Sequence, residues 1–457
     1  MIKPPSQAPF APLPSGLVQA LDPRPSTLDF PSVSALDLRL SLCAFALLNP
    51  KSLILHSVVP SHFLIIGAGF SGAVMARQLA DGLDCHVDVW DERDHVAGNC
   101  HTERDAETGV MVHKYGPHIF NTDNERVWEY VNRFGEFRPW VNRVKANTAR
   151  GMFSMPINLL TINQFFGKSM GPDEARKFVA SLGDASITEP QNFEEQALKM
   201  LGRDLYEAFF KGYTVKQWGV DPKALPASVL KRLPVRFNYD DNYYSKKYQG
   251  IPREGYTGVI QKILDHPRIS VSLGRRFNPS ALEELSGRYQ HIFYTGPIDA
   301  FFNHSEGRLG YRTVTFERVE TDAEDYQGNA VINYPDESVP WTRIHEHKHF
   351  TPWESHEKTV AFREYSKETE PQDVPYYPKR LASDKEILMR YRRRAEDLFR
   401  ESRDAPNRPR VTFLGRLATY RYMDMEAVIG EALEVADLFT SSPTENQRHP
   451  VFPNIEA

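Results

Sequence analysis

Gly67-Ala-Gly69-Phe-Ser71-Gly72 has the residue types and spacing of a phosphate cradle. Gly67 suits a tight turn, and Gly69 lets the backbone approach a pyrophosphate. Gly72 lets a helix pack closely on a strand, and the first N–H groups of that helix then face the anion. Asp91 comes 19 residues after Gly72. A carboxylate at that strand end can accept from a ribose hydroxyl. The chemistry this spacing offers is dinucleotide binding. His345, His347 and His349 alternate, so a strand would place them on one face. No Asp, Glu or Cys pattern accompanies them, and no metal is expected. Phe209 and Tyr213 are i and i+4, on one face of a helix, and by themselves read as amphipathic core. The run Arg390 to Arg394 reads as a solvated helix face rather than a nucleic-acid site.

These residues need elements to hold them. An apolar run at 62–66 enters the glycine turn, an amphipathic stretch follows at 73–80, and a second strand at 86–90 ends in Asp91. That is the opening βαβ of a dinucleotide-binding fold. Residues 158–183 and 192–216 read as helices, the second with Leu198, Leu201, Leu205 and Phe209 at helical spacing. The polar, tyrosine-rich segment 236–249 reads as a strand or loop beside a site. A helix near 259–265 and a strand at 269–273 come next. Short strands at 291–294, 313–316, 330–334 and 360–365 then dominate. A charged surface helix at 384–402, a strand at 411–414 and a helix at 425–439 close the pattern. The fold class expected is α/β: a Rossmann-like cofactor domain carrying an inserted helical domain and an inserted antiparallel sheet domain. Its segments are 61–140, 250–300 and 405–440 for the cofactor domain. The helical domain takes 141–235, and the sheet domain takes 236–249 and 301–380. Residues 441–457 read as a polar tail.

Composition limits the function. The chain has 457 residues, about three domain-sized units at ~150 residues each. Its charge is 55 − 60 = −5, so no global basic excess holds a nucleic-acid backbone, and an anionic ligand must meet local cations. Three scattered cysteines with no C-x-x-C pair fit a reducing, cytoplasmic setting. No apolar run approaches ~18 residues, so no membrane span is expected. Ten of the 33 prolines fall in residues 1–60, which read as a disordered extension ahead of the first cofactor strand.

The second glycine loop, Asp91-Glu-Arg93-Asp-His-Val-Ala97-Gly98-Asn99, resembles the E-x-R-x-x-x-G-G pattern of two-dinucleotide-fold flavoproteins. Asp91 stands for the acid and Ala97 for the first glycine. Gly415-Arg416 and Asp424 resemble the distal segment that closes over a flavin, where a helix N-terminus can stabilise negative charge. Longer segments resemble the bacterial UDP-galactopyranose mutase family, over roughly residues 63–439. These are Tyr115-Gly-Pro-His118-Ile-Phe, Phe210-Lys-Gly-Tyr213-Thr-Val-Lys216-Gln-Trp218-Gly, and Leu225-Pro-Ala-Ser-Val-Leu-Lys-Arg232-Leu-Pro. Trp341-Thr-Arg343-Ile, Pro375-Tyr-Tyr377-Pro and Gly415-Arg416-Leu-Ala-Thr-Tyr-Arg-Tyr422-Met423-Asp424 complete the match.

The resemblance implies an isomerase that interconverts UDP-galactopyranose and UDP-galactofuranose, with FAD used without net redox. Reduced flavin N5 attacks the anomeric carbon and displaces UDP, a flavin–sugar iminium forms, and the ring opens and recloses before UDP returns. NAD(P)H or another donor reduces the flavin first. Arg232 and Arg343 match the diphosphate arginines, and Tyr213, Tyr243, Tyr377 and Tyr422 match phosphate-contacting tyrosines. Guanidinium suits a diphosphate through paired bonds, and a tyrosine hydroxyl donates without adding charge. Phe209 with Tyr213 is then a stacking surface for uracil. Trp218 matches a lid aromatic, with Gly212 and Gly219 supplying freedom of movement. Asn142 and Asn333 match substrate-side positions. Cofactor contacts are implied at Gly67, Gly69, Ser71, Gly72, Asp91, Arg93, Gly98, Asn99, His118, Val271, Arg416, Met423 and Asp424. His118 is the implied proton carrier beside the flavin. The family implies a homodimer or higher oligomer. The alternative is a flavin oxidoreductase of the amine-oxidase or desaturase type on the same fold, which has no use for the two arginines and four tyrosines.

Overall fold

A computed structural model describes residues 61–227, 230, 235–405, 407–441 and 450–453. The expected Pro-rich extension 1–60, most of the tail and Arg232 lie outside the described residues.

The strand Ser61–Ile66 is the centre of a parallel five-stranded sheet. The order is Ile269–Ser272, Cys85–Trp90, Ser61–Ile66, His291–Tyr294, Arg410–Phe413. Side chains alternate along a strand. Phe63 and Ile65 therefore join one core with the helices Phe70–Gly82, Gly255–Leu264 and Met425–Ser441. Leu64 and Ile66 join a second core that includes Tyr391 and Ala395 of the helix Ala382–Asp404. Both faces are covered, so the strand reads as an unbroken apolar run. The arginine-rich helix thus has one buried stripe, with Tyr391 at 0% exposure, and a charged outer face.

A seven-stranded sheet carries Asn333, Arg343 and Tyr377, three of the expected site residues. Its order is Tyr377–Pro378, Tyr311–Arg318, Ala361–Glu368, Arg343–Glu346, Val331–Asn333, Val144–Thr148, Gly151–Met155. All pairs are antiparallel except Val331–Asn333 with Val144–Thr148. One sequence boundary is corrected here. The strands Val144–Thr148 and Gly151–Met155, read as part of a helical domain 141–235, belong to this sheet. Their residues Val144, Ala146, Phe153 and Met155 share a core with the helices Leu159–Phe166, Pro172–Leu182 and Phe193–Tyr206.

Three further readings change, and one is narrowed. The expected helix 158–183 is two, because Gly167 takes a left-handed φ of 61° as a C-cap and Pro172 opens the next helix. The expected helix 192–216 is interrupted at Gly202, with φ 74° and ψ 172°, and by a π-helical turn at Glu207–Lys211. At Gly202 an added Cβ would lie 2.4 Å from the Leu182 carbonyl oxygen, so helix contact demands the glycine. Most of 236–249 is loop, and its end enters the strand Tyr248–Pro252. In the polar tail, residues 450–453 dock on the core. The Val451 carbonyl accepts from Phe413 N–H at 2.8 Å, and the Phe452 and Phe413 rings stack at 5.4 Å.

Candidate active site

The glycine loop leaves the strand Ser61–Ile66 and enters the helix Phe70–Gly82, as its spacing predicts. A Cβ at Gly72 would sit 1.9 Å from the Gly67 carbonyl oxygen, so only glycine lets the helix start there. Gly69 and Gly98 meet backbone to backbone, a Cβ on Gly98 falling 3.4 Å from the Gly69 Cα. The two glycine loops thus form one cradle. Gly69, the N-cap of the helix, brings no side-chain bond to the first N–H groups. The N–H groups of the first turn are those an anion can take. Ser71 is buried against Gly415, the left-handed turn after the last sheet strand.

Asp91 has a task beyond the expected one. Its Oδ2 accepts from Ala68 N–H at 2.7 Å and its Oδ1 from Arg93 N–H at 2.9 Å. It braces both loops, and a ribose hydroxyl would meet only the lone pairs left over. Arg93 donates through Nη2 to Asn99 Oδ1 at 2.8 Å and lies over the Tyr115 ring at 4.7 Å. Its other terminal nitrogen, Nη1, is buried with no partner among the described residues. A buried guanidinium nitrogen left unpaired beside a glycine cradle suits a dinucleotide such as FAD. Val271 stands half-open on the edge strand, where the neighbouring Ser272 carbonyl accepts from Asp91 N–H at 3.1 Å. At the opposite rim Arg416 donates to the Met423 carbonyl at 3.3 Å and lies 5.6 Å from the Tyr377 ring. Asp424 Oδ1 caps Ala427 N–H at 3.2 Å, and burial raises the Asp424 carboxyl.

The residues expected on the substrate side converge on Arg343. The row Asn333, Arg343, Glu364, Phe316 runs straight across four neighbouring strands. Arg343 Nε lies 3.2 Å from Glu364 Oε1, and the guanidinium stands 5.9 Å from the Tyr213 ring centre. Tyr377 and Tyr422 stack at 5.8 Å. Tyr243 N–H donates to the Asn142 carbonyl at 2.8 Å. Asn142 and Asn333 each keep a buried Oδ1 with no partner among the described residues. Burial raises the Tyr213 and Tyr243 hydroxyls against the Arg343 charge. Burial also pushes Tyr377 up to about 12, so these hydroxyls stay protonated donors. Burial disfavours the Arg343 cation, but Glu364 and the tyrosines outweigh it and hold the charge.

His118 lies on the loop between the strands Met111–His113 and Phe120–Thr122. Gly116, with φ 90°, passes so close to Phe316 that a Cβ would lie 3.2 Å from its Cζ. The His118 Nδ1–H donates to the Gly116 carbonyl at 2.8 Å, which leaves Nε2 as the acceptor of a neutral ring. Burial pushes His118 down to about 4, the Gly116 bond opposing and the Arg416 charge adding.

Three expectations are corrected. Phe209 is 4% exposed and packs on Phe153 and Phe165, each at 5.4 Å, so it lies in the core while Tyr213 turns to Arg343. Helical spacing picks a face but not which residue on it is covered. Gly212 and Gly219 are close-approach positions rather than evident hinges. A Cβ at Gly212 would meet the Pro335 carbonyl oxygen at 2.3 Å, and one at Gly219 the Arg312 guanidinium at the same distance. Between them the helix Gly212–Trp218 carries Trp218 half-buried in the apolar cluster. His345 and His347 meet edge-on at 6.3 Å, but His349 leaves that face, because the strand ends at Glu346 and His347–Phe350 is a 3-10 turn. Each has a different neighbour. His345 Nε2 lies 3.1 Å from Glu364 Oε2, His347 Nδ1 accepts from His113 N–H at 3.2 Å, and His349 Nε2 lies 3.2 Å from Asp325. Carboxylates therefore accompany two of them after all. The ligand atoms of Asp325, Glu346 and His349 fall within 4.8 Å of one another. Both Glu346 oxygens there already accept backbone N–H groups, of Tyr326 and Gln327 at 2.8 Å each.

Sequence reasoning missed Glu364. Its strand reads Phe362-Arg363-Glu364-Tyr365, with no period that separates a buried acid from an exposed one. Only its cross-strand pairing with Arg343 reveals it.

Residues 208–422 match the family model for UDP-galactopyranose mutase, and residues 65–134 match a model for an NAD(P)-binding Rossmann-like domain. The chain is 54% identical over 391 residues to a Klebsiella pneumoniae protein named "Probable UDP-galactopyranose mutase", covering 86% of this chain and 98% of that one. It is 51% identical over 384 residues to the dTDP-fucopyranose mutase of Escherichia coli, covering 84% and 99%. In fold it is similar to a crystal structure of reduced UDP-galactopyranose mutase, with TM-score 0.63 at 15% identity, covering 87% of this chain and 98% of that one. An oxidoreductase from Methanosarcina mazei shares the fold at TM-score 0.50 and 12% identity, covering 82% and 100%. Likeness of fold at that level does not separate isomerase from oxidoreductase. Sequence identity over nearly the whole chain does: the chain belongs to the UDP-galactopyranose mutase family of flavin-dependent isomerases.

Proposed function

We propose that the chain interconverts UDP-galactopyranose and UDP-galactofuranose with FAD in its reduced form. One observation carries the reading: Arg343 and four tyrosines, Tyr213, Tyr243, Tyr377 and Tyr422, gather beside a dinucleotide cradle. A diphosphate that must leave and return suits that set. Arg343 holds charge where the leaving group develops it, and the hydroxyls donate without tightening the ground state unduly. Arg232 is proposed as the second diphosphate arginine.

The parallel-sheet segments are proposed to hold the cofactor. Its phosphates would lie on Gly67, Gly69, Ser71 and Gly72, its adenosine side near Asp91, Arg93, Gly98, Asn99 and Val271. Its ring would lie toward His118, Arg416, Met423 and Asp424. When bound and reduced, FAD would supply at N5 the nucleophile that takes the anomeric carbon from UDP. The neutral His118 ring offers Nε2 to hold or pass a proton at that side. Trp218, Asn142 and Asn333 are proposed to enclose the sugar and nucleoside, on the helix Gly212–Trp218, the loop before Val144–Thr148 and the seven-stranded sheet. No helix among the described residues is long and apolar enough to cross a membrane. Burial raises the free thiols of Cys85 and Cys100 to about 11 and 12, which fits an enzyme without thiol chemistry, and a cytoplasmic location is proposed. A homodimer or higher oligomer is proposed.

The test is an isomerase assay on the purified protein under dithionite or NAD(P)H. Interconversion of the two UDP-galactose ring forms, strong when reduced and weak when oxidised, is expected. Equal rates in both flavin states refute the flavin's part in the chemistry. The 51% identity to a dTDP-fucopyranose mutase makes dTDP-fucose the competing substrate, and a higher kcat/KM for it overturns the substrate assigned.

A further inference from the structure

Lys216 sits in a cage of four backbone carbonyls near the candidate site. Its Nζ lies 2.6 Å from the Tyr334 carbonyl oxygen, 2.7 Å from Asp336, 2.8 Å from Val339 and 3.0 Å from Trp341. An ammonium has three N–H donors, so the four oxygens share them and none of the three is left for water. All four carbonyls belong to one turn, the connection from Val331–Asn333 to Arg343–Glu346. Lys216 therefore grips the segment that spaces Asn333 from Arg343.

The grip comes from the helix Gly212–Trp218, which also carries Tyr213. Gly212 is one helical turn before Lys216, on the same face. Its missing side chain lets the Pro335 carbonyl come within 2.3 Å of where a Cβ would be. The turn wraps this face at two levels. Arg312 fixes the end of the same helix, donating through Nε to the Gln217 carbonyl at 3.0 Å and through Nη2 to the Lys216 carbonyl at 3.3 Å. With one end pinned by Arg312, the ammonium cage sets how the helix stands against the Arg343 strand.

We propose that Lys216 is a positioning residue: its cage holds the Tyr213 ring and the Arg343 guanidinium at their mutual spacing and so presets the diphosphate site. The proposal rests on the UDP-sugar reading above. Misplacement of binding groups by about 1 Å costs on the order of 10²-fold in rate. A loss of about tenfold or more in UDP affinity is therefore expected from removing the cage.

The experiment compares the FAD-loaded wild type with Lys216→Met and Lys216→Arg, using UDP as the probe. Lys216→Met should fold with a lowered melting midpoint, keep FAD content and visible spectrum, and raise the Kd for UDP about tenfold or more. Lys216→Arg keeps the cation and should recover most of that affinity. A Kd within about twofold of wild type in Lys216→Met overturns the proposal. So does an affinity loss matched by FAD loss, or an arginine variant no better than the methionine one. If Lys216→Met does not fold, Lys216→Gln is read by the same criteria. Failure of both to fold makes Lys216 a structural residue and overturns the positioning role. A wild type that binds no UDP sinks the substrate reading instead. The cage is then judged by hydrogen exchange of residues 334–341, which must rise in Lys216→Met.

Discussion

Glu364→Gln isolates the buried charge beneath Arg343. Glu364 is 4% exposed, with one oxygen 3.2 Å from Arg343 Nε and the other 3.1 Å from His345 Nε2. Burial alone would raise its carboxyl, yet the Arg343 charge and the His345 bond outweigh it and hold it down at about 2, against an ordinary 4.5. At ~1.4 kcal/mol per pKa unit, that difference corresponds to about 3 kcal/mol of stability carried by the ionised carboxylate. Breaking a buried pair by removing one partner costs ~3–5 kcal/mol, in the same range. Glutamine keeps the shape and turns off the charge, so Glu364→Gln should lose about 2–3 kcal/mol at pH 7. The pH dependence follows in sign. A depressed acid stabilises the fold fully above its unfolded pKa, and that contribution fades as pH falls toward the folded value. The wild-type advantage should be constant above about pH 5 and smaller by about 1 kcal/mol at pH 3.5. Urea unfolding of both FAD-loaded proteins at pH 7, 5 and 3.5 measures it. Equal stability at pH 7, or a difference that does not shrink between pH 5 and 3.5, refutes the electrostatic reading of the Arg343–Glu364–His345 group.

Three other outcomes are expected. Arg343→Ala should cost ~10²–10³-fold in kcat/KM while FAD is retained, because the proposed diphosphate contact is removed, and it should also destabilise the fold by leaving Glu364 buried without its partner; near-normal steady-state kinetics would exclude the assignment. Gly72→Ala should give a protein that purifies colourless or fails to fold, since its Cβ would lie 1.9 Å from the Gly67 carbonyl oxygen, and normal FAD content by absorbance would contradict the cradle. With His118 pushed down to about 4, the pH profile of kcat/KM should lack a histidine inflection near 6.5 that disappears in His118→Asn; finding one would mean the ring is charged in the resting enzyme.

The cofactor half was legible in the sequence because its chemistry is local. Gly67, Gly69, Gly72 and Asp91 act through backbone geometry and a fixed chain separation, and the structure differs only in giving Asp91 to the loops as well. The gathering of the residues proposed for the substrate was legible only through resemblance. Tyr213, Tyr243, Arg343, Tyr377 and Tyr422 come from five separate segments, and no period or spacing links them. What joins them is sheet register: Asn333, Arg343 and Glu364 fall in one row because three strands pair without a slip. A one-residue slip would turn Arg343 to the opposite face. Register is a long-range property, fixed here by what covers each face. Ile344, the neighbour of Arg343, packs with Val319 and Ala361, and their burial determines which side Arg343 must take. The same logic explains the misreadings. Phe209 and Gly212 each had a local pattern that suited a site, and the three histidines one that suited a single strand face, but burial against Phe153 and Phe165, the Pro335 carbonyl and the early end of a strand decided otherwise. A charged residue placed by such packing, like Glu364, is invisible along the chain and plain across the sheet.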